Sequence, residues 1–386
     1  MNLKSHYSHF LSRDKGLLRF TAHSHHYWPD VTRDAVLACW DDAAKYADDK
    51  WSHIFGEVIP RAQGSIASIL GLDHSDHIAF APNTHEFVMR LLSAFDWTKP
   101  LRVLTTNSEF HSFSRQISRL EELDTVSVER VPVFPFKNFE SRFRKILAEQ
   151  KFDLVFFSQV FFDSGFAIGD LDGIVSAVRY PDTVIVIDGY HGFCALPTSL
   201  RSIQERVFYL AGGYKYAQSG EGVCFLHIPQ GCELRPMDTG WFAELGSIER
   251  PRSDTVSYSN DAFRFWGATF DPSGIYRFNA VMEWMDHAGL TVDKIHNHVS
   301  GLQDYFLEQI GSIDFPVLDS ANQVTPSDPS KRGHFISYKA DDISATVDAL
   351  KKRGIIVDAR YPYVRFGFGL YHDMGDIDEF IKRMRQ

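Results

Sequence analysis

The chain predicts an α/β fold, with a large domain around a doubly wound, mostly parallel sheet and a small α/β domain at the C-terminus. Three observations lead there. Strand-length apolar runs alternate with amphipathic helical stretches over residues 77–228, the pattern of a sheet with crossover helices. Two of those runs, "FDLVFFSQV" (152–160) and "TVIVIDGY" (183–190), are apolar nearly throughout, as strands covered on both faces must be. And 386 residues exceed what one simple core holds, so the chain is expected to divide. The division expected is an N-terminal segment over 1–30, a large domain over 31–285 and a small domain over 286–386.

In chain order, "DVTRDAVLACWDDAAKYADDKW" (30–51) reads as one long amphipathic helix. "HIAFAP" (77–82) is a short strand. It runs into the helix "NTHEFVMRLLSAF" (83–95), where Asn83 as N-cap and Glu86 three residues on form a capping-box pattern. Strands follow at "RVLTT" (102–106) and "VERVPVF" (128–134), then a helix at "NFESRFRKILAEQ" (138–150). The two buried strands flank the helix "LDGIVSAVRY" (171–180), and "RVFYLAG" and "GVCFLHI" close the region. Residues 282–310 are helical with a break near Gly289. The strands "GHFISYKA", "IIVDAR" and "YVRFGFGLY", with the helices "DISATVDALKKRG" and "DIDEFIKRM", complete the small domain. "DSANQVTPSDPSKRG" (319–333) is the clearest loop.

A net charge of −10 argues against nucleic acid or an anionic membrane as main partner. No apolar run reaches the ~18 residues of a membrane span, and "MNLKSHYSHFLSRDKG" lacks the apolar stretch of a signal peptide. Cys39, Cys194, Cys224 and Cys232 show no CxxC spacing and make no disulfide framework, so a cytoplasmic protein is expected.

Open α/β sheets bind ligands at the carboxyl ends of their strands, so polar residues there are the ones to follow. Asp188 ends the β-branched run Thr183–Ile187, where a carboxylate is costly unless paired. In "LAGGYKYAQSGEGVCFLHIP" (210–229) a single amine, Lys215, stands between two tyrosines among residues that pack. Asn83-Thr84-His85 opens a helix, whose free N–H groups and dipole favour a phosphate. Taken singly, these read equally as helix caps and a surface lysine. Together, an acid for a protonated pyridine nitrogen, a lysine for a Schiff base and a phosphate-cradling helix end describe a site for pyridoxal 5′-phosphate.

On these residues the chain resembles the fold-type I pyridoxal phosphate enzymes of the class V aminotransferase family, and within it the kynureninase-like branch. The family's Asp-Gly-Ala-His/Gln stretch corresponds to Asp188-Gly189-Tyr190-His191, and its lysine turn to Tyr214-Lys215-Tyr216. Glu-His-His-Ser corresponds to Glu109-Phe110-His111-Ser112, the phosphate-contacting threonine to Thr84, and the C-terminal arginine strand to "VRFGFGLYH" with Arg365. Gly240-Trp241 matches the kynureninase-like Gly-Trp, and Ala268-Thr269 the Gly-Thr that reaches the phosphate from a partner subunit.

The resemblance implies a role for each. Lys215 would hold the cofactor aldehyde as an imine and then act as base on the substrate α-carbon. Asp188 would keep the pyridine nitrogen protonated, His191 would bond the ring hydroxyl, and Phe110 would stack on the ring. Thr84, His85, Tyr214, Trp241 and Thr269 complete the cofactor site. Arg365 would fork onto the substrate carboxylate. The N-terminal stretch would lie over the active site, with His23, Ser24 and His25 at the substrate entrance. His23 and His25, at strand spacing with His26 and Asp30 near, also fit a metal site; no Cys or Glu completes a ligand set, so no metal is expected.

Departures from the family pattern narrow the chemistry. Phe162 stands where Asn is frequent, Tyr190 where Ala is usual, and Asp271 near where kynureninases carry a substrate-contacting Asn, which sets aside kynureninase's own specificity. The loop 319–333 has no cysteine for sulfur transfer. The function expected is a pyridoxal-phosphate-dependent transferase, a class V aminotransferase acting on an amino acid through Lys215. A kynureninase-like hydrolase or carbon–sulfur lyase is the alternative. A non-catalytic protein keeping the cofactor as a regulatory ligand would be expected to lose the lysine or the clamp, and both Lys215 and Arg365 are present. A homodimer with its sites at the interface is expected.

Overall fold

The computed structural model of the chain describes residues 2–247 and 254–386. Its strands are β1 (Leu18–Phe20), β2 (Ile78–Ala81), β3 (Leu101–Thr106), β4 (Val126–Val131), β5 (Leu154–Ser158), β6 (Val184–Asp188), β7 (Val207–Gly212), β8 (Cys224–His227), β9 (Phe335–Lys339), β10 (Ile355–Arg360) and β11 (Tyr363–Gly367). Seven form one sheet in the order β2-β8-β7-β6-β5-β3-β4. Only β8 runs against its neighbours there; the remaining pairings are parallel, which is the α/β architecture the sequence predicts. In β5, every residue is buried, because helices cover both faces of the sheet centre.

The second sheet has the order β1-β10-β11-β9. It takes β1 from the N-terminus, paired parallel with β10, so both ends of the chain contribute to it. Each sheet carries its own apolar cluster. Phe80, Val155, Ile187, Leu210 and Phe225 belong to the first; Phe20, Phe306, Tyr338, Phe366 and Phe380 belong to the second.

One expectation about local structure needs correction. The helix over 30–51 stops at Tyr46, where Ala47 takes a positive φ of 47°. Asp48 and Asp49 follow, residues whose side chains compete for backbone groups and favour turns over helix interior. Helix resumes at Lys50 and runs through a π turn, Ile54–Val58, into Ile59–Leu70, with Pro60 just past that turn. The break expected near Gly289 is present: Ser273–His287 and Val292–Ile310 are separate helices with Gly289 at φ 62° between them, and the first begins ahead of residue 282. The loop 319–333 is pinned: buried Arg332 pairs with Asp304 at 2.5 Å, and Lys331 reaches Glu140 at 2.6 Å. At Asn83 the cap forms as expected, accepting the Glu86 N–H at 3.1 Å. Among the described residues no helix is long and apolar enough to cross a membrane.

Candidate active site

The carboxyl ends of β2, β5, β6 and β7 open onto a cavity of about 590 Å³. Most residues singled out from the sequence meet there. Thr84, His85, Phe110, Asp188, His191, Tyr214 and Lys215 come from the large sheet's side, and His23, Ser24 and Arg365 face them from the N-terminal segment and the small sheet.

Each is placed by its local sequence. β6 delivers Asp188 to the cavity, and the carboxylate accepts the Tyr190 backbone N–H at 2.9 Å. Residue 189 must be glycine: a Cβ there would stand 1.9 Å from the ring of Tyr209, whose hydroxyl is itself fixed on Gln159 at 2.8 Å. β7 ends at Gly212, and the following turn brings in Lys215. The Lys215 amine lies 2.5 Å from His191 Nε2, 4.9 Å from the Tyr190 ring centre and 5.6 Å from that of Phe110.

Burial dominates the electrostatics. It pulls the Lys215 amine down to about 7, with Asp188 opposing the shift. It pushes the Asp188 carboxyl up, against the Tyr190 N–H and the charge on Lys215. His191 is driven well down by burial and then by Lys215, and its Nδ1 is buried without a partner. Behind this pair sits Glu109, raised to about 8 by burial, accepting from the Ser158 and Thr106 hydroxyls at 2.6 Å.

These groups fit pyridoxal phosphate. A carboxylate and an amine share one cavity, an aromatic face stands beside the amine, an unpartnered imidazole nitrogen is at hand, and a capped helix start presents Thr84. Three expected site residues lie outside the cavity. His25 lines a neighbouring hollow and meets the Tyr214 ring edge-on at 5.5 Å. Trp241 packs tilted against Phe242 and is half exposed, and Thr269 is exposed. Among the described residues no three His, Cys, Asp or Glu side chains converge as metal ligands would.

Sequence reasoning gives no role to Ser158, Glu109 or Asp358, and names Phe162 and Tyr190 only as departures. Ser158, Phe162, Tyr190 and Arg360 line the cavity. Asp358 pairs with Arg365, which also donates to the Phe162 carbonyl. The signal available was the alternation Asp358, Arg360 along β10, which puts both on one face of the strand.

Comparison with known proteins agrees with this geometry. The chain is 25% identical over 226 residues to the kynureninase of Pseudomonas fluorescens, covering 57% of this chain and 52% of that one. It is 26% identical over 232 residues to the kynureninase of Monosiga brevicollis, covering 56% and 48%. The chain thus spans about half the length of the curated relatives it matches. Among solved structures, a variant of C-DES with glycine covalently linked to its pyridoxal phosphate cofactor superposes with a TM-score of 0.82 at 17% identity, over 98% of both chains. The complex of the cystine C–S lyase C-DES with cysteine persulfide gives 0.80 at 18%, over 95% and 97%. The apo cysteine desulfurase of Thermococcus onnurineus gives 0.80 at 16%, over 96% and 94%. These likenesses show the fold-type I architecture. The class V aminotransferase profile matches residues 47–380, nearly the whole span that builds the cavity, and the chain belongs to this pyridoxal-phosphate-dependent family.

Proposed function

We propose that the protein is a pyridoxal-phosphate-dependent enzyme acting on an amino acid, with Lys215 as the covalent anchor and proton-transfer group. The observation that carries this is the buried Lys215 amine set against Asp188 in one cavity, with Arg365 on the opposite wall. The bound cofactor supplies an electron sink for a carbanion at the substrate α-carbon. The chain's own groups do the rest. Asp188 would supply the anion for the pyridine nitrogen. Thr84, His85 and the start of the helix Thr84–Ser93 would hold the phosphate, and Tyr214 would donate to it. Phe110 covers the ring face, and Phe110, Val160 and Phe162 give the cavity dry walls. With an amine near 7, Lys215 takes and returns a proton at the α-carbon at neutral pH, and His191 Nε2 at 2.5 Å orients it. Arg365 receives the α-carboxylate.

Among reaction types, cleavage in the substrate's side chain, by a kynureninase-like hydrolase or a carbon–sulfur lyase, is favoured over amino-group transfer. The relatives and structures above carry those names. A persulfide-forming cysteine has no support here. Cys224, which contacts Tyr190 beside the cavity, is buried and its thiol is pushed up to about 12; Cys39, Cys194 and Cys232 are raised by burial as well.

We further place the protein as a homodimer. Trp241 and Thr269, outside the cavity of their own chain, would reach that of the partner. Leu37 at 52% and Trp40 at 70% exposure give the helix Val31–Tyr46 an uncovered apolar stripe suited to such an interface.

The test is borohydride reduction of the cofactor-loaded protein, with peptide mapping that locates the label on Lys215. An amino-acid panel follows. Release of a 2-oxo acid or cleaved side chain without an added acceptor marks the lyase or hydrolase. Turnover only with an added 2-oxo acid marks the aminotransferase. Label at another lysine, or none, defeats the assignment.

A further inference from the structure

Arg365, the residue assigned to the substrate carboxylate, is already engaged. It stands on β11 directly across from Asp358 on β10, and one terminal nitrogen pairs with that carboxylate while the other donates to the Phe162 carbonyl. Its Nε is buried with no partner. The residue is only 3% exposed, so its guanidinium needs an anion at all times; a buried cation left unpaired is expensive.

Arg360 lies two residues along the same strand as Asp358 and therefore on the same face. Its Nη1 is 3.3 Å from Asp358 Oδ1, its side chain is about half exposed, and it lines the same cavity as Arg365. His23 Nε2 stands 3.5 Å from Asp358 Oδ2, outside an ordinary hydrogen bond. Asp358 thus serves two guanidinium groups, and Asp163 is the other acid whose charge reaches Arg365.

We infer that Asp358 is an internal stand-in for the substrate carboxylate. It holds Arg365 while the cavity is free of substrate and passes to Arg360, with His23 closing in behind it, when a substrate carboxylate takes the fork. This rests on the reading of Arg365 given above. Both states keep Arg365 paired, and the bound state pairs both arginines. Asp358 is then a specificity-determining residue: it sets a threshold that ligands without a carboxylate cannot cross at Arg365, and its removal makes carboxylate binding tighter. A purely structural Asp358, one that only aims Arg365, predicts the opposite sign.

The experiment needs no knowledge of the natural substrate. Aminooxyacetate and O-methylhydroxylamine attack the cofactor aldehyde with the same nucleophile, and only the first carries a carboxylate. In the cofactor-loaded protein the loss of visible absorbance gives a rate constant for each, and their ratio reads the carboxylate contact alone. Asp358→Asn is expected to raise this ratio about tenfold. Arg360→Gln, which leaves the Asp358–Arg365 pair with nowhere to hand its carboxylate, is expected to lower the ratio, and Arg365→Lys to lower it most. An unchanged or reduced ratio in Asp358→Asn overturns the inference; should that variant fail to fold, an unchanged ratio in Arg360→Gln does so. If Arg365→Lys leaves the ratio intact, the carboxylate site itself is misplaced and both readings fall. If the wild-type protein binds no pyridoxal phosphate, the functional proposal fails first and takes the inference with it.

Discussion

Asp188→Asn separates the cofactor reading from a merely structural one. The substitution keeps size and shape and still accepts the Tyr190 N–H that Asp188 takes at 2.9 Å, so the fold of the β6 end is retained. What goes is one negative charge in a buried place. A hydrogen bond to a charged partner is worth about 1.5–3 kcal/mol, so affinity for pyridoxal phosphate should fall about 10–150-fold. A second effect has the opposite direction in a different readout. Asp188 is the charge that opposes burial at Lys215, so without it the amine titrates lower still and is reactive at lower pH. Equilibrium dialysis gives the first quantity, and the pH dependence of Lys215 acylation in cofactor-free protein gives the second. Wild-type affinity together with an unmoved Lys215 midpoint refutes the assignment, whereas equal loss of both signals with a drop in thermal midpoint would mean simple misfolding.

Two further outcomes follow from the same geometry. In the cofactor-free wild-type protein, arylation of Lys215 by trinitrobenzenesulfonate, with loss of sulfite, should rise with pH through a midpoint at about 7, because the neutral amine is the nucleophile and burial lowers its pKa from 10.5; a midpoint near the ordinary lysine value contradicts the buried placement. In sedimentation velocity the protein should run as a dimer, and Trp40→Glu, a charge in the middle of the exposed stripe, should shift it to monomer with loss of cofactor affinity; a monomeric wild type that binds cofactor fully would remove Trp241 and Thr269 from the site.

How readable each residue is from sequence depends on its background. Asp188 and Lys215 stand out because each follows a strand buried along most of its length, where a charge demands a reason. Thr84 and His85 are visible through the Asn83 cap, a local signal confirmed in the structure. Asp358 is hidden for the converse reason, although Arg360 beside it is legible from sequence as the other arginine that could take the carboxylate. β10 is only partly buried after Ile355, and a partly exposed strand with alternating charges looks like a solvated face. Its pairing with β11 fixes Asp358 opposite Arg365, and that register is a long-range fact no local pattern carries. The end of the helix at Tyr46 is of a third kind: the amphipathic pattern runs on past it, while the backbone at Ala47 turns.

The two walls of the cavity therefore differ in kind. The large sheet supplies groups suited to any pyridoxal phosphate reaction, an anion, an amine, a helix end and an aromatic face, each set by the chemistry of the cofactor. The small sheet supplies Arg360 and Arg365, and beside them Phe162 and Tyr190 stand where the family pattern differs. Arg365 couples the walls, since it donates across to the Phe162 carbonyl beyond β5 while its other nitrogen stays on β10's Asp358. The Phe162 ring meets Phe110 edge-on at 5.5 Å. Changes of substrate preference accordingly belong to Asp358, Arg360, Phe162 and Tyr190, and changes at Asp188, Thr84 or Lys215 should reduce every reaction alike.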